Sequence, residues 1–297
     1  MAEEVQWTKC LRKSIACRSG DEKRWGQLGL SLDHIVHFLY RTPMEATEQF
    51  RQKGYHAVAG GRHTMWGTWN SLSYFGLSYV EFLAVEQTEL AKQSENPLIR
   101  QLVEEQSSGE GLGQIALRTQ EMDQWATELR EKGLHVTGPV AGSRTREDGT
   151  VIRWRMLFLE DPSGGRMPPF LIEWQESDDE RVKDLTYRGM IADHPNGADG
   201  IQAVGYAVAE LEEAAKQWER WFGWESSDLF IDEQMGARCR SFKVPGGDIV
   251  LCQPIGEGMA REALETRGER PFFVRVCGTN REGSDTIFGG AYLGSVE

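Results

Sequence analysis

The sequence predicts an α+β protein built from tandem βαβββ units, and three observations lead to that fold class. First, three segments share one plan: LDHIVHFLYRTPMEATEQFRQKGYHAVAGG from Leu32, LGQIALRTQEMDQWATELREKGLHVTGPV from Leu112 and IQAVGYAVAELEEAAKQWERWFGWES from Ile201. Second, each opens with a short apolar strand, continues as a helix and ends that helix at a glycine, Gly54, Gly133 or Gly223. Third, the interval from the third residue of the strand to that glycine is 20, 19 and 20 residues. Glycine suits the left-handed position that closes a helix.

The elements follow in order. In the first unit, Thr42-Pro43-Met44-Glu45 supplies an N-cap, a proline at the first helical position and a capping-box glutamate. Strands are expected over 55–59, 67–75 and 77–86. In the second unit Met122, Trp125, Ala126 and Leu129 share one helix face, as a helix packed on a sheet requires. Its strands are expected over 134–140, 151–159 and 169–175. The third helix repeats the pattern with Ala214, Trp218, Trp221 and Phe222, followed by strands over 226–230, 236–243 and 247–253. After a helix over 258–267, FFVRVCG and TIFGGAYLGSV read as a fourth unit that keeps its strands and loses its helix.

This divides the chain into an extension, 1–30, a first half of two modules, 31–175, a linker, 176–199, and a second half, 200–297, with the third module and the truncated fourth. The extension matches no repeat and is expected to be mobile or loosely docked. Residues 87–111 carry a helix, PLIRQLVEEQ. The linker opens on an acidic run, ESDDER, expected to be a solvated face, and ends in the turn-like HPNGADG, with His194 as a turn residue.

Composition narrows the function. The hydrophobic fraction of 39% and charged fraction of 27% fit a globular protein. The net charge of −13 argues against nucleic acid and anionic membrane as partners, because phosphates repel an acidic surface. No apolar run approaches the roughly 20 residues of a membrane helix. The opening MAEEVQWTKC leads into no apolar stretch, so no secretory signal is expected. Five scattered cysteines without a CxxC pair point to a reduced, cytoplasmic protein, with Cys10–Cys17 the one bridge left open.

LDHIVHF before a helix, then SYVEFL, resembles the opening module of glyoxalase-like proteins in the vicinal-oxygen-chelate superfamily. FLEDPSG leading into FLIEW resembles the approach to the last strand in the same superfamily, here with an insertion, GRMPP. The resemblance covers about residues 31–255 and is closest to glyoxalase-like proteins of bacteria. It implies two paired modules curled into an open cleft, with one residue from the first and last strand of each aimed at a divalent metal. The matching positions are His34, Glu81, Gln114 and Glu173. One imidazole, one amide and two carboxylates resemble the ligand set of glyoxalase I, with the histidine and glutamine in exchanged modules. They do not resemble the two-histidine, one-carboxylate triad of Fe(II) dioxygenases. The implied ion is Zn²⁺, Mn²⁺, Ni²⁺, Co²⁺ or Mg²⁺.

Strand alternation adds to this. If His34 faces the cleft, Leu32, Val36 and Phe38 share its face and His37 takes the other. A single histidine at a strand start is structural more often than a ligand, but four polar residues at repeat-equivalent positions carry more weight. The competing arrangement is a metal-free cleft whose polar groups satisfy one another. In the third unit the positions of His34 and Glu81 hold Ala203 and Val250, which cannot ligate. The site therefore belongs to the first two modules, and the second half packs, dimerises or covers the cleft.

On the substrate side, GGRHTMWGTWNSLSYF offers His63, Trp66, Trp69 and Asn70, and the second module offers Arg153, Trp154 and Arg155. Alternation lets either the two arginines or Trp154 face the cleft. The resemblance implies a metal-dependent lyase or isomerase that chelates vicinal oxygens of a small substrate and stabilises an enolate, with Glu81 or Glu173 as the base. The alternative is a metal-free protein of the same fold that binds or sequesters a small molecule. A metal-dependent transferase that opens an epoxide resembles a two-histidine, one-glutamate pattern, which is lacking here. The expected partners are a small molecule and a second copy of the chain, not nucleic acid or membrane.

Overall fold

Strand pairing follows the repeat in the computed structural model, which describes residues 29–146, 148–164, 167–280 and 282–296. The first sheet has the order β2-β3-β4-β1-β5-β8-β7-β6. Its strands are β1 (Ser31–Leu39), β2 (Val58–His63), β3 (Thr68–Phe75), β4 (Ser78–Val85), β5 (Gly111–Arg118), β6 (His135–Thr145), β7 (Val151–Glu160) and β8 (Phe170–Trp174). Each module places its first strand parallel to its last, and β1 meets β5 antiparallel at the centre. The second sheet repeats this as β10-β11-β12-β9-β13-β15-β14. Here the strands are β9 (Gly200–Ala207), β10 (Phe230–Asp232), β11 (Ala237–Phe242), β12 (Asp248–Pro254), β13 (Pro271–Cys277), β14 (Gly283–Ile287) and β15 (Gly290–Gly294). The fourth unit keeps three strands and, among the described residues, has no helix between them.

Seven helices are described: α1 (Pro43–Gln52), α2 (Thr88–Lys92), α3 (Pro97–Glu104), α4 (Met122–Glu131), α5 (Asp178–Tyr187), α6 (Leu211–Phe222) and α7 (Met259–Arg267). None is long and apolar enough to cross a membrane. The capping box at α1 forms, with the Thr42 backbone N–H donating to Glu45 Oε1 at 3.1 Å. Gly223 ends α6 with φ of 71°, the left-handed value its place in the repeat implies.

The convex faces of the two sheets share one core. Ile35, Phe50 and Trp125 of the first half meet Trp218, Val274 and Tyr292 of the second within it. His37 joins the halves: its Nδ1 lies 2.6 Å from Tyr292 Oη and its Nε2 2.9 Å from the Phe288 carbonyl. The concave face of the second sheet is filled by apolar side chains, among them Val250, Phe273 and Leu293, under α7. The concave face of the first is closed at one end by Leu98, Ile99 and Leu102 of α3, and at the other by Leu185 of α5.

Several expectations change. The cleft is not open: the first sheet curls until its edge strands β2 and β6 come into contact. β2 starts at Val58 and β10 at Phe230, each later than expected. The acids of the acidic run are on the solvated side, as expected, but the run is also the start of α5, where Ser177 and Glu180 form a capping box, and its Arg181 is buried. His194 is more than a turn residue. It accepts from the His56 backbone N–H at 2.8 Å, its Nε2 lies 2.8 Å from the Tyr74 carbonyl, and it stacks on Phe75. Apart from Gly29 and Leu30, the N-terminal extension lies outside the described residues, as do Cys10 and Cys17. Cys239 and Cys252 are buried thiols 3.5 Å apart at sulfur, and Cys277 Sγ lies 3.5 Å from the Gly200 carbonyl.

Candidate active site

The four expected ligand positions separate into three and one. In the parallel β1–β4 pair, His34 lies opposite Tyr79 and Val36 opposite Glu81, so all four share the concave face. Gln114 on β5 lies opposite Val36 and joins them. His34 Nε2 is 3.5 Å from Glu81 Oε2. Glu173 is on the other face. Its neighbours Ile172 and Trp174 pack into the concave interior, and alternation turns Glu173 outward. There Glu173 Oε2 accepts from Arg155 Nε at 2.7 Å, and Oε1 accepts from the Met122 backbone N–H at 3.3 Å. Arg155 also holds Asp123. Glu173 therefore fastens α4 to the sheet, as a carboxylate at a helix N-terminus can. The motif set its place along the strand, but the pairing register decided its face.

A β-bulge builds the other side of the site. Leu32 lies opposite Leu117 and His34 opposite Ala116, which leaves Asp33 as an extra residue. The bulge interrupts alternation, so Asp33 and His34 turn to the same side and Leu32 enters the convex core. This corrects the expectation that Leu32 shares the face of His34. Val36 and Phe38 do share it, and His37 is on the other face.

Asp33 is fully buried and collects four side chains. Oδ1 lies 2.7 Å from His34 Nδ1, while Oδ2 accepts from Trp174 Nε1 at 3.0 Å, Arg118 at 3.3 Å and Arg181 at 3.4 Å. Burial alone would raise its pKa, but Arg181, His34 and Arg118 together outweigh burial and hold the carboxyl well below the usual range. An ionised Asp33 accepts from Nδ1–H and so leaves Nε2 as the working nitrogen of His34. The imidazole is stacked on Tyr79 at 4.7 Å and meets the edge of Phe170 at 5.6 Å.

Glu81 is held from behind. Asn70 Nδ2 donates to its Oε1 at 2.6 Å, and Asn70 Oδ1 accepts from the Gly61 backbone N–H at 2.9 Å. Gly60 is needed here, because a Cβ on it would fall 2.0 Å from Asn70 Oδ1. His63 is buried against Trp66 and Trp154, with Nδ1 3.0 Å from Thr68 Oγ1, and burial lowers its pKa. Of the substrate-side candidates, His63, Trp66 and Asn70 thus lie with the site. Arg153 and Arg155 do not: Trp154 takes the inward position between them. Gln114 is held by long contacts: its Oε1 accepts from the Ile115 backbone N–H at 3.3 Å and its Nε2 lies 4.0 Å from Met167 Sδ.

Asp33, Arg118, Arg181, Tyr79 and Arg144 were not among the sequence candidates. Arg181 had a legible signal, since Ser177-x-x-Glu180 announces a helix start. The bulge at Asp33 had none. In the second half, Ala203 and Val250 occupy the register positions of His34 and Glu81 and are buried in an apolar cluster.

Paired βαβββ modules sharing one curled sheet define a protein of the vicinal-oxygen-chelate superfamily. The family model described as "Glyoxalase-like domain" matches residues 32–222, and the chain belongs to that family. Two solved structures are similar. A hypothetical protein from Staphylococcus aureus has a TM-score of 0.70 at 20% identity, over 90% of this chain and 99% of that one. A variant of 4-hydroxymandelate synthase from Streptomyces coelicolor has a TM-score of 0.58 at 8% identity, over 84% of this chain and 71% of that one. At these identities the likeness is one of fold. No curated protein matches the sequence.

Proposed function

We propose that the concave face of the first sheet is the active site of a glyoxalase-like enzyme, of lyase or isomerase type, that moves protons on a small carbonyl compound. The observation that carries this reading is the 3.5 Å approach of His34 Nε2 to Glu81 Oε2, with the rear atom of each group already tied, to Asp33 and to Asn70. A carboxylate and an imidazole so placed form a base and acid pair. Glu81 Oε2 takes the proton from the carbon beside the carbonyl. The electron pair of that C–H bond forms the new C–C π bond, and the carbonyl oxygen receives a proton from His34 Nε2–H to give an enol. On an α-hydroxy carbonyl compound this enol is an enediol: protonation of the former carbonyl carbon by Glu81, with loss of the hydroxyl proton on the other carbon to His34 Nε2, moves the carbonyl to that carbon and completes an isomerisation. Asp33 balances the charge on the ring while Nε2 carries the proton. Between the two glutamates considered as base, Glu81 is favoured because Glu173 is engaged by Arg155 on the outer face.

The divalent ion implied by the resemblance does not fit this donor set. His34 Nε2 and Glu81 Oε2 are the two strong donors, Gln114 offers a neutral amide, and Glu173 points away. Among the described residues no three histidine, cysteine, aspartate or glutamate side chains gather to hold an ion. The proton transfer is therefore assigned to the side chains alone.

A second reading, a metal-free binding protein, is favoured by the aromatic lining, in which Trp154 lies 6.1 Å from Trp66 and 5.7 Å from Trp174. Solvent-deuterium exchange into small 2-oxo and 2-hydroxy carbonyl compounds, followed by NMR, separates the two. Exchange that disappears in His34→Gln and Glu81→Gln supports the enzyme. Saturable binding without exchange for any compound supports the binding protein.

A further inference from the structure

We infer that Arg144 is the receptor for the carboxylate of a small aromatic monoacid bound on this concave face. The inference deepens the proposed function and rests on the reading that this face is the substrate site. Arg144 lies on edge strand β6 opposite Ile152, whose side chain is in the concave cluster. Its guanidinium crosses the seam to the other edge strand and lies over Gly61, where a Cβ would come within 2.4 Å of Nη1. Gly60 and Gly61 thus clear the space for Asn70 and Arg144 respectively.

Arg144 is half-buried, and among the described residues no hydrogen bond or ion pair engages its guanidinium. The arginines around it are engaged: Arg118 and Arg181 with Asp33, Arg146 with Asp184, and Arg62 with Glu86. Burial lowers its pKa, while Tyr74, Tyr79 and Glu81 are close enough to act on it electrostatically. A half-buried cation without a counter-ion is costly to keep, and a bound anion supplies the missing partner. A guanidinium holds a carboxylate by two parallel hydrogen bonds. Among the described residues Arg144 is the one guanidinium here without an ion pair, and with Glu81 in range it balances one negative charge rather than two, which favours a carboxylate over a phosphate. The body of the ligand is set by the rings beside it. Tyr74 and Tyr79 lie 4.6 Å apart and His34 stacks 4.7 Å from Tyr79, so the surroundings of Arg144 toward the His34–Glu81 pair are a run of aromatic rings, which matches an aromatic body better than a polar one.

The test is isothermal titration with benzoate, with benzamide as the neutral isostere, inorganic phosphate as the dianion and melting temperatures in parallel. Benzoate should bind saturably in the millimolar range, and benzamide at least about tenfold more weakly. Arg144→Gln should weaken benzoate by at least about tenfold while leaving benzamide unchanged, and Arg144→Lys should recover part of the loss. Arg144→Gln should melt at or above the wild-type temperature, because an unpaired cation is removed. Retained benzoate binding in a protein that shows no exchange chemistry upholds the anion site while the proposed reaction fails. The inference is overturned if benzoate does not bind saturably, if Arg144→Gln binds it as wild type does, or if Arg144→Gln melts well below wild type. Phosphate that displaces benzoate at equal concentration overturns the carboxylate assignment.

Discussion

Asp33 Oδ1 and His34 Nδ1 are 2.7 Å apart, and their side chains lie on the same side of β1 although the two residues are neighbours in the chain. An ideal strand would send them to opposite faces. The bulge gives His34 its buried carboxylate, and that carboxylate in turn holds Arg181 of α5, so the linker helix and the candidate acid are joined through one side chain.

Asp33→Ala should therefore be among the most destabilising single changes in the first half. It leaves Arg118 and Arg181 short of a buried counter-charge, at a cost of about 3–5 kcal/mol. Urea denaturation measures this. A loss below about 1 kcal/mol would mean that the two arginines find water instead.

Glu81→Gln should keep the fold and reduce proton exchange by at least about a hundredfold, because the amide still accepts from Asn70 but cannot act as base. Circular dichroism and exchange rates are read together. A variant that folds and still exchanges at the wild-type rate removes Glu81 from the reaction.

Glu173→Gln should do the reverse. Its partner Arg155 is about a third exposed, so losing the ion pair should cost no more than roughly 1 kcal/mol. Turnover should be unchanged. A loss of exchange as deep as that of Glu81→Gln would return Glu173 to the site.

Stability should fall with acid in a window set by buried histidines. Burial lowers the pKa of His37 from 6.5 to about 4, and burial does the same for His194. Between those values the unfolded chain binds protons that the folded chain does not. The stability these neutral rings contribute is therefore complete above pH 6.5 and declines as pH falls toward about 4, by about 3 kcal/mol for fully buried His37. His37→Asn should remove about one proton from the slope of unfolding free energy against pH. An unchanged slope would show that His37 is protonated in the fold.

Protein purified without chelator should carry well below one equivalent of divalent metal by elemental analysis, because the strong donors facing one another are two. An equimolar ion that Glu81→Gln removes would restore metal ligation by His34 and Glu81.

The modules were legible because each is a local pattern. A 3.6-residue apolar period, a capping box and a closing glycine act within a few residues, and the chain repeats them at nearly constant spacing. The shared face of His34, Glu81 and Gln114 was legible where it depended on the same pattern. The facing of Glu173 was not legible, because the motif gives a position along a strand of five residues but not its face. Nor was the facing of Leu32, where a single bulge shifted alternation.

The sequence by itself determined that two modules pair, that a third and a shortened fourth follow, and that the polar positions of the first half become Ala203 and Val250 in the second. These depend on residue type and short-range order. Only the tertiary structure decided that the sheet closes on itself, that Asp33 stands behind His34, that Glu173 serves α4, and that Arg144 crosses the seam to lie over Gly61. Each of these depends on strand register and curl, which bring together residues tens of positions apart. The free energy of such contacts is spread over the whole sheet rather than written in any one segment.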